Sequence, residues 1–178
     1  MSRYVALLGS INVGRNRLRM ADLRQALERE DFANVETVVA SGNVLFDHDE
    51  RPSEGLREKL AYILAEQFDI ASAVVVLSRE ELEASLAESP FAASGDDSKV
   101  HVHFLECQPS AEAFADLVAV QAERGNERLA AGTRALHIDF VDGVGSSKLT
   151  GALVARRLGC GGTARNARSI RRIIEKMT

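Results

Sequence analysis

The sequence predicts an α+β protein built as two similar halves, each an antiparallel sheet packed against helices. Three observations lead there. Apolar strand-like runs and helix-period runs alternate in the order βαββαβ over residues 1–90, with one extra helix at the end. A linker-like stretch, FAASGDDSK at residues 91–99, then interrupts the pattern. Residues 100–178 begin the same order again. That order is the split βαβ arrangement of the ferredoxin-like fold, so two ferredoxin-like halves are expected.

Each element has a local reason. Residues 3–8 carry Tyr4, Val5, Leu7 and Leu8, a β-forming run, and read as the first strand. GSINVGRNR follows as a glycine-punctuated loop. Met20, Leu23, Ala26 and Leu27 share one helical face, which places a helix over about 19–29. Residues 35–40 and 44–46 flank the tight reversal Ser41-Gly42-Asn43, a hairpin signal. Leu56, Leu60, Ile63 and Leu64 mark a second helix starting near Ser53, and residues 73–77 form a valine-rich strand. Ser78 and Glu81 have the spacing of a capping box for a short helix to about Glu88.

In the second half, residues 100–106 read as a strand. Phe114, Leu117, Val118 and Gln121 lie on a helix opened by Ser110. Residues 128–130 and 135–141 read as two further strands, and residues 149–158 as a helix. GCGGTARNARSIRRIIEKM closes the chain. Thr163 is placed there to cap a last helix whose apolar face is Ile170, Ile173, Ile174 and Met177. This half therefore reads βαββα, with no evident closing strand.

Composition narrows the class. The chain has 178 residues and an apolar share of 46%, enough for a core in each half. No apolar run approaches the roughly 20 residues that span a bilayer, so no membrane role is expected. The start, MSRYVALLG, lacks a small-residue cleavage signal and reads as a strand. Two cysteines 53 positions apart, Cys107 and Cys160, form no motif. They point to free thiols in a reducing compartment, and so to the cytoplasm. Cys160, beside the glycine run, is a candidate nucleophile, but the small-hydrophobe reading is favoured. The net charge of −4 divides unevenly: residues 148–178 carry +7 and the remainder −11. A basic end suits an anionic partner, or the protein's own acidic surface.

Three glycine-led junctions carry a cation each. Gly9–Asn16 has two glycines five apart between a strand and a helix, as in the phosphate-binding P-loop. Arg15 stands where that motif has lysine, and Asn16 replaces the magnesium-binding hydroxyl. Nucleotide hydrolysis by that route is not expected, whereas a backbone cradle for an anion is. GVGSSK, residues 143–148, has two glycines of a GxGxxG pattern and places Lys148 at a helix start. Arg165 follows the third glycine run. Asn12, Asn16, Asn43 and Asn166 add amides. Cations and amides without a matched acid or base favour recognition over proton transfer. Asp22, Glu36 and Asp142 are only loose catalytic candidates.

His101 and His103, two apart on one strand, share a face with which His137 could complete a metal site. The lack of acids or cysteines at ligand spacing favours surface histidines on a half-exposed sheet. No metal or other cofactor is expected. RNA binding through a ferredoxin-like sheet needs central aromatics. The chain has no tryptophan, two tyrosines and no run like RNP1.

YVALLGSINVGRNRLRMADL near the start, VASGNVLF, SSKL and GTARN near the end together resemble the bacterial family known as domain of unknown function 1697. The resemblance spans nearly the whole chain and implies two packed ferredoxin-like halves. It implies no activity, substrate or catalytic residue. Three positions depart from the family pattern: Ser10 where arginine is usual, Ala167 where tryptophan follows ARN, and Ser169 where threonine is common.

The expectation is thus a cytoplasmic binder of a small anionic, phosphorylated or nucleotide-like ligand held between the halves. Its candidate residues are Asn12, Gly14, Arg15, Asn16, Ser41, Gly42, Asn43, Ser147, Lys148, Thr163, Arg165 and Asn166. Two alternatives stand beside it. One is a transferase or hydrolase acting on a phosphorylated compound. The other is a nucleic-acid or protein interaction module using the basic C-terminal region.

Overall fold

The computed structural model describes residues 1–9, 11, 17–39, 42–49 and 53–178, the side chains of 53 and 54 aside. Those residues form eight strands and six α-helices. In chain order they are β1 (Ser2–Leu8), α1 (Met20–Glu28), β2 (Ala33–Thr37), β3 (Asn43–His48), α2 (Ser53–Phe68), β4 (Val74–Ser78), α3 (Arg79–Glu88), β5 (Val100–Leu105), α4 (Ala111–Ala122), β6 (Arg128–Gly132), β7 (Ala135–Asp139), α5 (Gly151–Leu158), β8 (Gly162–Asn166) and α6 (Ala167–Lys176). A 3₁₀ turn, Val144–Ser146, precedes α5. The chain divides into two compact units, Met1–Leu82 with Arg172–Thr178, and Glu83–Arg171.

In the first unit the strand order is β2-β3-β1-β4, and every pair is antiparallel. Side chains alternate across a sheet, so Tyr4, Ala6 and Leu8 share a face with their cross-strand partners Phe46, Val44 and Val74. That face packs on Leu23, Ala26 and Leu27 of α1 and on Leu56, Leu60, Ile63 and Leu64 of α2. The 3.6-residue period expected of both helices is what aims those side chains inward. Ser78 and Glu81 make the reciprocal capping box that opens α3: each side chain accepts from the other's backbone N–H, at 2.8 and 3.1 Å.

The second unit repeats the topology, with order β6-β7-β5-β8 and all pairs antiparallel. Its core joins Leu105, Leu136, Ile138 and Phe140 to Phe114 and Leu117 of α4 and to Leu149, Leu153, Val154 and Leu158 of α5. Ser110 caps α4 by accepting from Ala113 N–H at 3.1 Å. Residues 91–99 are held in turns, and Phe91 is buried with the Arg128 guanidinium 5.0 Å from its ring centroid.

Three expectations are corrected here. GTARN is a strand, not a helix start. β8 pairs with β5, Thr163 opposite Phe104, and supplies the closing strand missing from the sequence reading. Thr163 therefore does not cap a helix. Asn166 takes that part, its Oδ1 accepting from Ser169 N–H at 2.8 Å. GTARN lacks strong β-formers, so its conformation is imposed by the partner strand. Gly162 suits that pairing, because a Cβ there would collide with the Phe104 carbonyl oxygen. Second, α5 begins at Gly151, capped by Thr150, so Lys148 lies ahead of the helix rather than in its first turn. The conflict between its charge and the helix dipole is absent. Third, Cys107 and Cys160 are not free thiols. They form a disulfide, with Cα atoms 6.2 Å apart.

Among the described residues two valines hold left-handed backbone, Val39 (φ 68) and Val141 (φ 56). A β-branched residue is strained there. Val141 is 38% exposed, so more than half of it is covered, and that packing holds the strained backbone in place.

Candidate functional site

The sequence-predicted residues fall into two groups, one in each unit. In the first unit, β1 runs out at Leu8 into the glycine loop. Leu8 N–H donates to the Gly42 carbonyl at 2.8 Å, and Gly9 N–H to the Ala73 carbonyl at 2.9 Å. The Ser72 hydroxyl donates to the Gly9 carbonyl. Gly42 sits at φ 92, where only glycine is unstrained. Asn43, opposite Leu7 in the ladder, is 2% exposed. The start of the glycine loop and the hairpin reversal, 33 positions apart in sequence, therefore lie side by side. Asn12, Gly14, Arg15, Asn16 and Ser41 lie outside the described residues.

The helix after the loop opens at the same end. Arg19, the residue before α1, makes no side-chain cap bond of its own, and the first turn carries the positive end of the helix dipole. Asp22 in that turn offsets part of it. Along α1 runs a groove of about 530 Å³, bounded by α1 on one side and β2 with Val44 of β3 on the other. The ladder aligns Ala6, Val44 and Thr37 in one row, next to Leu7 and Asn43. Thr37, Val44 and Met20 all line the groove, so it reaches the end of the sheet where β1 runs out.

In the second unit the candidates are separately engaged. The Ser147 hydroxyl donates to Glu127 at 2.5 Å and accepts from Leu149 N–H at 3.1 Å. Burial raises the Glu127 carboxyl, but the Ser147 and Gln121 hydrogen bonds outweigh it and hold that group below its ordinary value. Lys148 is exposed. Arg165 donates to the Thr163 hydroxyl at 2.6 Å and to the Ala164 carbonyl at 2.9 Å. Burial pushes its guanidinium down to about 10. Asn166 is occupied at the start of α6, as described. In the basic tail, Arg171 pairs with Asp97 at 3.1 Å, so part of that charge docks on the protein's own acid.

The histidines are not surface groups, contrary to expectation. His103 is 5% exposed and His101 packs edge-on against Phe140, ring centroids 4.7 Å apart. Both share the α4–α5 face of the sheet. His137 stands opposite Val102 and so on the other face, where its Nε2 lies 3.3 Å from Glu88 Oε1. Among the described residues no group of three or more His, Cys, Asp or Glu is placed to hold a metal. Burial, with Arg165 and His101 adding repulsion, lowers His103 to about 4. His101 and His137 are lowered too, chiefly by burial.

Residues 1–137 match the family model described as "Protein of unknown function (DUF1697)". The chain belongs to the DUF1697 family. Every candidate of the first unit falls inside the matched region, whereas Ser147, Lys148, Thr163, Arg165 and Asn166 lie beyond it. The DUF1697 chain is also similar to a solved structure, a conserved bacterial protein from Streptococcus pneumoniae. The two share 25% identity over 99% of each chain, with a TM-score of 0.70. None of the curated proteins matches the chain. Among the described residues no helix is long and apolar enough to cross a membrane.

The groove has no signature in the sequence. Its walls come from an amphipathic helix and an ordinary strand, and nothing in MADLRQALE or ANVET marks a cavity. The Cys107–Cys160 pairing was equally invisible, because a separation of 53 says nothing of distance in space.

Proposed function

We propose that this DUF1697 protein binds a small anionic ligand, phosphorylated or nucleotide-like, at the end of the first sheet where β1 enters the glycine loop. Residues 1–90 and 100–178, joined by 91–99, are read as two ferredoxin-like halves, a reading that the strand order within each sheet supports. The observation that carries the functional proposal is the bond from Leu8 N–H to Gly42 C=O. It sets the start of a P-loop-like glycine segment beside a second glycine turn. The N–H groups of Leu8 and Gly9 are bonded within the sheet, so the donors proposed for the anion are those of the glycine segment that follows. Arg15 would neutralise the charge, and Asn12, Asn16 and Asn43 would orient it, with Gly14 allowing close approach. Ser41, in the adjacent turn, would add a hydroxyl. Lys148 and Arg165, with Ser147, Thr163 and Asn166 beside them in sequence, are the candidates for an anion contact within the second unit.

The test is the melting temperature against inorganic phosphate for wild type, Arg15→Ala and Lys148→Ala. Ligand at about 100 times its Kd adds roughly 2.7 kcal/mol to stability, a shift of several degrees. Arg15→Ala is expected to lose most of that shift. A shift lost only in Lys148→Ala would move the site to the second unit. No shift in wild type would contradict the proposal.

A further inference from the structure

The groove beside α1 has a chemistry of its own. Its floor is apolar: Met20, Leu23, Val35 and Val44. Its rim carries neutral hydrogen-bonding groups on opposite walls, Gln25 on α1 and Thr37 on β2. The charged residues around it are already matched. Arg24 pairs with Glu28 at 3.0 Å, and Glu36 with Arg3 at 2.6 Å. A volume of about 530 Å³ falls within the range of small-molecule sites. An apolar floor with an amide on one wall and a hydroxyl on the other suits an uncharged, flat body with polar edges. It does not suit a second anionic group.

We propose that the groove holds the ring portion of a phosphate-bearing small molecule, a nucleoside monophosphate in size and chemistry. Its phosphate sits at the β1 exit and its ring lies between α1 and β2. This rests on the anion site described above and adds to it the class of molecule and the place of its organic half. The register supports the reach between the two. Thr37 and Val44 line the groove, and Gly42, two positions before Val44 and so at a position of the same face, accepts from Leu8 N–H at the β1 exit. A ligand anchored at the exit therefore meets the groove at once.

The experiment compares the dissociation constants of inorganic phosphate, adenosine monophosphate and uridine monophosphate by titration calorimetry. It uses wild type, Ala21→Phe and Gln25→Ala. Ala21 lines the groove and is exposed, so a phenyl ring there fills the space without disturbing the core. The unliganded melting temperature checks that both variants fold. At least one nucleotide is expected to bind wild type about tenfold or more tighter than phosphate. That advantage should fall to within about twofold in Ala21→Phe, and by a smaller factor in Gln25→Ala, with phosphate binding unchanged. Equal binding of nucleotides and phosphate in wild type would overturn the groove assignment and leave the anion site standing. So would a nucleotide advantage unaffected by either variant. Absence of all binding would remove both.

Discussion

Reducing the Cys107–Cys160 disulfide is expected to destabilise the second unit by about 4 kcal/mol, the loop-closure value for 53 residues. The bridge joins the segment after β5 to the segment before β8. There Glu106 N–H donates to the Gly161 carbonyl at 2.9 Å and extends the same ladder. β8 has only five residues and is an edge strand, so cross-linking its entry to its partner limits fraying in the folded state as well. Urea unfolding should show a lower midpoint for the dithiothreitol-treated protein and for the Cys107→Ser/Cys160→Ser double variant. The untreated protein, denatured, should show no reactive thiol. Two reactive thiols, or an unchanged midpoint, would contradict the pairing. The disulfide also removes the argument for a reducing compartment that two unpaired thiols had supported.

The second large effect is acid sensitivity. His101, His103 and His137 all have folded-state values below that of an unfolded histidine, with His103 lowest at about 4. Below pH 6.5 the unfolded chain takes up protons that the folded chain refuses. The stability these groups contribute is therefore fully present above about 6.5 and is lost as pH falls towards 4. For His103 alone the loss is roughly 3 kcal/mol, at about 1.4 kcal/mol per unit. Lowered carboxylates such as Glu127 add their own loss only at more acid pH, so the window from pH 6.5 to 5 isolates the histidines. Unfolding free energy should fall through that window in wild type and fall much less in His103→Gln. A flat wild-type profile, or an equal slope in the variant, would show that His103 protonates freely in the folded protein.

Local pattern made much of the fold legible. The α1 and α2 faces, the Ser78–Glu81 box, the Ser110 cap and seven of the eight strands follow from periodicity and turn chemistry. β8 did not, because GTARN carries helix-start signals and becomes a strand only through pairing with β5. The burial of the histidines is hidden in the sequence for a related reason. Alternation along VHVHFL says which residues share a face, but helices distant in sequence decide which face is covered. For the site, Gly42 and Asn43 were marked by the turn they make. Their proximity to Gly9 depended on register, which only the assembled sheet reveals. Asn166 and Ser147 resembled ligand groups because caps and loop ties draw on the same polar side chains as recognition does.

The proposed anion sits where β1 leaves the first sheet. The most direct test follows each backbone amide by ¹H–¹⁵N correlation spectra during a titration with inorganic phosphate. Saturable shifts concentrated at Leu8, Gly9, Met20, Gly42 and Asn43 are the predicted result. Saturable shifts confined to the arginines of α6, or spectra unchanged up to the solubility of the salt, would contradict it.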